Sequence, residues 1–508
     1  MGLEQQLWDL LVVGGGINGA GIARDAAGRG LKVLLVERDD LAAHTSSAST
    51  KLIHGGLRYL EYYEFRLVRE ALQERERLLR IAPHISWPLR FVLPQPAGGR
   101  PGWMIRIGLF IYDHLGGKQS LPRSQAVNLA DPFWGEGLQP GLKRGFAYSD
   151  AWVDDARLVV LNAMDAAARG ATVLTGTALV GAQVEGQTWA AELAPNAAAP
   201  RPGIAAPCTV RARAIVNAAG PWVGDLIEEL PGVQRNGGIA LVKGSHIIVP
   251  RLYPGEHAFL LQQADGRIVF TIPYQHRYTL IGTTEVTVGN DERSRPQISQ
   301  AEIDYLRAAV RPFFAREVAT ADVVSTYSGV RPLYDDGAKD AKAITRDYVL
   351  QLGRKDGPQV LSVLGGKLTT YRRLAEHALK KLAPFLPRSG PAWTGTAPLP
   401  GGDLPAGGFA PFLGEVRGRW PFLPADVAER MAHGYGTRLA EVIGAAGSWQ
   451  ELGEDFGSGL TEAELRYLVD HEWATSAEDV LWRRTKLGLG AAPELAERVS
   501  RWLAAQQG

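Results

Sequence analysis

The chain has 508 residues, and its 55 Lys and Arg balance 54 Asp and Glu, so a net charge of +1 offers nucleic acid no basic field. At roughly 150 residues per domain the length predicts about three domains, and 45% hydrophobic with 21% charged residues excludes a disordered or fibrous chain. The single Cys208 excludes an internal disulfide, a CxxC redox pair and a cysteine-built metal site, and no metal is expected.

The amino terminus carries no cationic n-region, so no secretory signal is expected. Residues 8 to 37 read as one βαβ unit: a buried strand Trp8–Val13, a helix from Ile17 to Arg29 stopped by Gly28 and Gly30, and a second strand Leu31–Val36. A helix with Phe65, Val68, Leu72 and Leu79 on one side ends at Pro83. The apolar run Trp103–Tyr112 fits either a membrane- or quinone-facing helix or, the favoured reading, a core helix. A helix from about 155 to 169 leads into the strand Ala171–Leu174, and alternating strands follow over roughly 178 to 218. The Ala/Pro tract 194–207 interrupts them and lacks apolar anchors, which predicts a flexible surface loop. Strand-like runs from 239 to 285 predict a mostly antiparallel sheet, a second domain inserted into the first. A Pro/Gly-rich stretch from 384 to 405 reads as a linker, and the remainder as helices near 425–445, 461–473, 476–486 and 492–505. No run approaches ~18 apolar residues, so no span is expected and the protein is placed inside the cell, dissolved or resting on a membrane surface.

Gly14-Gly-Gly-Ile-Asn-Gly19 matches G-x-G-x-x-G directly after a strand and at a helix start. Gly14 permits the tight turn, Gly16 the approach of a pyrophosphate, and Gly19 close packing of helix on strand. The helix amino terminus then presents free N–H groups to phosphate. Glu37 ends the second strand, where an acid accepts from ribose hydroxyls and argues against a 2′-phosphate. This fingerprint alone does not separate NAD from FAD. The choice of FAD rests on the hydroxyl-rich loop Thr45–Gly56, whose Thr45, Ser46, Ser47, Ser49, Lys51 and His54 are candidates for phosphate and flavin edges. Two further glycine loops follow apolar strands, at Gly220 and at Gly365-Gly366-Lys367-Leu368-Thr369, the second opening a helix whose amino terminus favours negative charge.

Several motifs together make the chain resemble the aerobic, FAD-dependent glycerol-3-phosphate dehydrogenases of bacteria, almost end to end. They are Gly14–Ala23, Ser46–Leu60, Trp152–Arg157, Lys243–His246, Thr326–Pro332, Ile344–Tyr348, Gly365–Arg372 and Glu478–Lys486. The resemblance implies an α/β and α+β architecture: a glutathione-reductase-type FAD-binding domain (1–90, about 145–235 and 325–385), an antiparallel-sheet substrate domain (about 91–144 and 236–324), a linker (386–404) and a helical C-terminal domain (405–508). It implies oxidation of sn-glycerol 3-phosphate to dihydroxyacetone phosphate, with electrons delivered to membrane quinone. It also implies a homodimer resting on the cytoplasmic membrane surface.

A bound phosphate carries about −1.5 to −2 charge, and arginine meets it with a planar fork that stays charged when desolvated. The candidates are Arg58, Arg331 and Arg346, each in a motif flanked by glycine, proline or aromatic residues. Carried over from the family, Arg58, Tyr59, His246, Arg331, Arg346 and Lys367 line the substrate side of the flavin, with His246, Arg331 and Lys367 as the catalytic set. His246 is the candidate general base, its ordinary pKa near 6.5 suiting proton transfer at neutral pH, against a satisfied strand histidine. Lys367 either neutralises reduced flavin or holds a substrate oxygen. His54 reads as a flavin-positioning residue. His44, beside Thr45, raises a covalent histidyl–flavin link that the resemblance does not support. Two other functions compete: an oxidase that gives its electrons to oxygen, and a silent flavin-binding protein, which the retained arginines disfavour.

Overall fold

A computed structural model describes residues 2–96, 98, 100–197, 201, 203–335 and 347–506. The run Leu7–Val13 is a strand whose Leu10, Leu11 and Val12 have no solvent exposure. Such continuous apolar strands belong to parallel sheets covered on both faces. It lies between Val33–Val36 and Cys208–Asn217, and Gln359–Leu364 and Thr172–Leu174 extend the sheet on either side, all in parallel. Val349–Leu352 closes one edge, and an antiparallel pair, Thr177–Glu185 and Thr188–Pro195, branches from Cys208–Asn217. The helices Ile17–Gly28, Asp155–Ala168 and Tyr371–Leu382 pack together on it.

Among the described residues the second sheet has ten strands. The boundaries predicted at 145 and 325 differ here, because Arg144–Val153 and Ser325–Asp335 belong to this sheet rather than to the nucleotide-binding one. Arg144–Val153 pairs with Ser86–Pro94 from Ser86↔Val153 to Pro94↔Gly145. Ser325–Asp335 pairs with Gly238–Pro250 from Ile248↔Ser325 to Gly238↔Asp335. The short strand Leu52–Ile53 joins the same sheet through Ala151 and Trp152. Loop 45–56 thereby bridges the two sheets.

Three other expectations change. The apolar run near Trp103 forms the helix Gly102–Leu115, but it is no core helix: only Leu109 and Tyr112 are buried, while Trp103, Met104, Ile107 and Phe110 are 65%, 47%, 52% and 57% exposed. The Pro/Gly stretch predicted as a linker is seated on the nucleotide-binding domain. Thr394 and Leu399 are buried, Trp393 Nε1 donates to Asp25 O at 3.2 Å, and Arg24 Nη2 donates to Ala397 O and Pro398 O. Within the Ala/Pro tract, Arg201 holds Asp479 with two hydrogen bonds of 2.7 and 2.9 Å, a charge anchor the apolar pattern does not reveal; residues 198–200 and 202 lie outside the described residues.

The C-terminal part is helical, with Phe409–Arg419, Ala425–Tyr435, Leu439–Ile443, Glu462–Glu472 and Pro493–Gln506. The predicted helix 476–486 instead winds as a π-helix over Asp479–Arg484. Arg483 and Arg484 both reach the buried Asp40 at 2.7 Å, and Arg157 pairs with Glu472, so buried charge ties this domain to the nucleotide-binding one. Among the described residues no helix is long and apolar enough to cross a membrane.

Burial keeps several imidazoles neutral. His54 and His84 are pushed down to about 3 and His257 to about 4, and His246, His377 and His433 are lowered for the same main reason. An unfolded histidine protonates near 6.5, so below that pH the unfolded chain binds more protons than the folded one. Stability is therefore present above pH ~6.5 and lost progressively as pH falls toward 4. The expected result is a melting temperature that drops steadily between pH 7 and pH 5; a flat profile there contradicts it.

Candidate active site

At Gly14 the backbone φ is +111°, and a Cβ there would sit 2.4 Å from Ala218 O; a Cβ on Gly19 would sit 1.9 Å from Gly14 O. Both positions therefore require glycine. Ser46 Oγ accepts from Ile17 N at 3.0 Å, at the start of the helix. Glu37 is buried, with Oε2 accepting from Gly15 N at 2.6 Å and Oε1 from Asp39 N at 2.8 Å. Its burial pushes the carboxyl pKa up, while these N–H groups oppose the rise. The acid thus shapes the glycine loop itself, and it also faces a cavity of about 270 Å³ lined by Gly14, Gly16, Arg38, Gly220 and Trp222. Arg38 lies 3.9 Å over the Trp222 ring. His44 borders the same cavity, its Nε2 2.8 Å from Asp39 Oδ2.

The hydroxyl loop is organised around Asp155, to which the sequence reading gave no role. Ser49 Oγ donates to Asp155 Oδ2 at 2.7 Å, and Lys51 Nζ reaches both carboxylate oxygens at 2.9 Å and Ser47 O at 3.1 Å. Lys51 and Asp155 are buried, so each requires the other's charge. Thr45 Oγ1 donates to Val330 O at 2.6 Å, and Ser47 Oγ to His44 O at 3.2 Å. The side chains of Thr45, Ser47, Ser49 and Lys51 thus hold the loop's own shape. The Trp152–Arg157 motif carried this signal, since Asp154-Asp155 opens a helix, and Asp154 Oδ1 accepts from Arg157 N at 3.1 Å as its cap.

At the loop's far end His54 N donates to Thr369 Oγ1 at 3.3 Å. The facing turn has Gly365 and Gly366 at φ +73° and +102°, and Asn18 Nδ2 donates to Gly365 O at 3.2 Å, joining this turn to the dinucleotide motif. Lys367 and Leu368 lead from it into the helix Tyr371–Leu382, and Lys367 Nζ lies 3.6 Å over the Tyr59 ring. Arg58 Nη2 donates to Tyr62 Oη at 3.4 Å.

His246 and Arg331 are brought to one face of the second sheet. His246 is opposite Tyr327 and stacks on it with centroids 4.7 Å apart, and Arg331 follows four residues on. Gly244 leaves room for the arginine, since a Cβ there would lie 2.7 Å from Arg331 Nη2. His246 Nε2 is 3.0 Å from Thr50 Oγ1, whereas its buried Nδ1 has no hydrogen-bond partner among the described residues. Burial, then the charges of Lys51 and Arg331, push His246 well below its ordinary 6.5. His54 joins the group through Phe270, 6.3 Å away, whose partner strand residue Gly282 pairs in turn with His246. Arg346 lies outside the described residues.

Residues 9–372 match the family described as FAD dependent oxidoreductase, and residues 392–508 the one described as C-terminal domain of alpha-glycerophosphate oxidase. The aerobic glycerol-3-phosphate dehydrogenase of Escherichia coli strain K12 is 50% identical over 496 residues, 97% of each chain. The chain belongs to the FAD-dependent glycerol-3-phosphate dehydrogenase family. A D-erythritol 1-phosphate dehydrogenase of Brucella abortus is 48% identical over 483 residues, 95% of each chain. Among solved structures, the glycerol-3-phosphate dehydrogenase of Bacillus halodurans complexed with FAD has a TM-score of 0.78 at 29% identity, covering 99% of this chain and 91% of that one. FAD is the cofactor of this family member. The site fits it: Gly14 and Gly16 leave room for a pyrophosphate, and the Glu37–Trp222 cavity suits the adenosine end.

Proposed function

We propose that the protein oxidises sn-glycerol 3-phosphate to dihydroxyacetone phosphate and passes the electrons to membrane quinone. The observation that carries this reading is a neutral buried histidine, with one nitrogen unpartnered, on the same sheet face as Arg331. The full-length likeness to glycerol-3-phosphate dehydrogenases supports it. Bound FAD supplies the acceptor for the hydride leaving C2. Arg331 and Arg58 hold the phosphate oxygens, with Arg346 as a third cation of the same set. When His246 donates Nε2–H to Thr50, its Nδ1 lone pair is left to take the substrate hydroxyl proton. Burial keeps that nitrogen unprotonated at neutral pH, and Tyr327 fixes the ring plane. Lys367 places positive charge at the turn Gly365–Thr369. A competing substrate reading, a longer phosphorylated polyol, is favoured by the Brucella relative; steady-state comparison of glycerol 3-phosphate with erythritol 1-phosphate decides between them.

The membrane part rests on the helix Gly102–Leu115, whose Trp103, Met104, Ile107 and Phe110 are exposed, as are Tyr62 and Tyr63 at the end of the segment Leu57–Tyr62 that this helix contacts. An amphipathic helix of this kind lies in the headgroup boundary with its apolar side down. The double substitution Trp103→Ser, Ile107→Ser is expected to reduce co-sedimentation with phospholipid vesicles and slow quinone reduction, with activity toward a soluble dye unchanged. Unaltered vesicle binding contradicts this placement. Oxygen as the main acceptor would appear as peroxide released at a rate matching substrate oxidation.

A further inference from the structure

The loop that carries His54, Arg58 and Tyr59 is tied to the interior at Gly55. Its N–H donates to Tyr112 Oη at 2.8 Å, and Tyr112 Oη in turn donates to the Asp150 carboxylate at 2.7 and 2.8 Å. Arg75 Nη1 reaches Asp150 Oδ1 at 2.9 Å and Ser149 O at 2.7 Å, and its Nη2 donates to Gln119 Oε1 at 2.5 Å. Arg75, Tyr112 and Asp150 are each at most 1% exposed. A buried ion pair on its own contributes little, because desolvation offsets the attraction. What distinguishes this one is its outward contact, a backbone N–H of the loop bearing the proposed substrate residues.

The backbone around Gly55 is closely packed, and the Gly55 N–H has a second, longer acceptor in Asp150 Oδ1 at 3.4 Å. Gly56 at φ +79° turns the chain so that a Cβ would lie 2.2 Å from the Tyr59 ring, and Gly55 packs against Leu72 and the Tyr112 hydroxyl itself. Burial and the Asp150 charge raise the Tyr112 pKa well above 10, so its hydroxyl stays a donor to the carboxylate and an acceptor for Gly55.

We propose that Tyr112, held by the Asp150–Arg75 pair, is a positioning residue that sets the backbone at Gly55 and so places Arg58 and Tyr59 against the substrate phosphate. The proposal rests on the reading of Arg58 and Tyr59 given above. Because Tyr112 is carried by the same helix that presents Trp103 and Ile107 outward, the loop is registered to that surface helix as well.

The test uses the FAD-loaded, full-length Tyr112→Phe protein. The substitution removes the bonds Tyr112 Oη makes to Gly55 N–H and to Asp150, leaving Gly55 N–H only a longer 3.4 Å contact to Asp150 Oδ1, and is expected to raise KM for glycerol 3-phosphate about tenfold, with kcat changed less than about threefold and FAD retained. Amide hydrogen exchange of the segment 54–59 is expected to quicken in the same protein. If Tyr112→Phe does not accumulate as holoenzyme, Asp150→Asn, which keeps the shape and an acceptor for Tyr112 while weakening the Arg75 pair, is expected to move KM and exchange in the same direction. A lowered melting temperature with unchanged KM and unchanged exchange shows a merely structural role and overturns the proposal. A parent enzyme that does not oxidise glycerol 3-phosphate refutes the substrate reading instead, and the exchange measurement then still decides whether Tyr112 holds Gly55.

Discussion

His246→Gln is expected to slow flavin reduction by glycerol 3-phosphate about 10²–10⁴-fold, the range for removal of a general base. Glutamine retains a donor toward Thr50 but has no lone pair of comparable basicity for the hydroxyl proton. Binding suffers less, because the phosphate is held by arginine. The pH dependence has a defined sign. An imidazole base works only when neutral, so the rate falls when pH drops below its pKa in the free enzyme. Burial and the charges of Lys51 and Arg331 depress that pKa, so the acidic limb lies well below the ordinary 6.5 rather than near it. A stopped-flow profile of the parent is therefore expected to be flat from pH 8 to about 6 and to fall only at lower pH. The His246→Gln profile lacks that limb. His54→Gln is the control, expected to weaken FAD affinity more than proton transfer. A variant at His246 that keeps the parental rate assigns the proton to another group.

Arg331→Ala is expected to lower kcat/KM for glycerol 3-phosphate by tenfold to over a hundredfold, equivalent to ~1.5–3 kcal/mol for a charge-assisted phosphate contact. FAD should remain bound, because the nucleotide cavity is lined by other elements. Arg331→Lys is expected to recover only part of the loss, since a point charge does not reproduce the paired hydrogen bonds of a guanidinium. Plain glycerol, lacking the phosphate, is expected to be a very poor substrate for the parent. Normal kinetics for Arg331→Ala, read from the rate of flavin bleaching against substrate concentration, places the phosphate elsewhere.

The dinucleotide half was legible because its constraints are local. Gly19 faces Gly14 O within one strand–turn–helix unit, and the glycine spacing announces that contact, whereas the backbone that Gly14 itself faces, Ala218 O, lies far along the chain. The role of Glu37 was legible in part: its position was evident, but its bonds to Gly15 and Asp39 depend on a curl of chain that no pattern encodes. The domain boundaries expected near 145 and 325 fall differently because sheet membership of Arg144–Val153 and Ser325–Asp335 is decided by pairing with Ser86–Pro94 and Gly238–Pro250, over long sequence distances. Arg201, Asp155 and Tyr112 were missed for a related reason. A charged or polar residue that is buried and paired looks in sequence like one on the surface, and only its partner, here Asp479, Lys51 or Asp150, distinguishes them. The helix Gly102–Leu115 misled in the opposite sense, since an apolar run fits a core helix and a surface-seated one equally, and its outer side has no covering among the described residues.

Everything proposed for the substrate side depends on reduction of the bound flavin by glycerol 3-phosphate. Anaerobic titration of the purified holoenzyme with that substrate, followed at the flavin absorption band, tests it most directly. Full bleaching by close to one electron pair per flavin is expected, with formation of dihydroxyacetone phosphate and return of colour on adding a quinone. A flavin that stays oxidised at saturating glycerol 3-phosphate contradicts it.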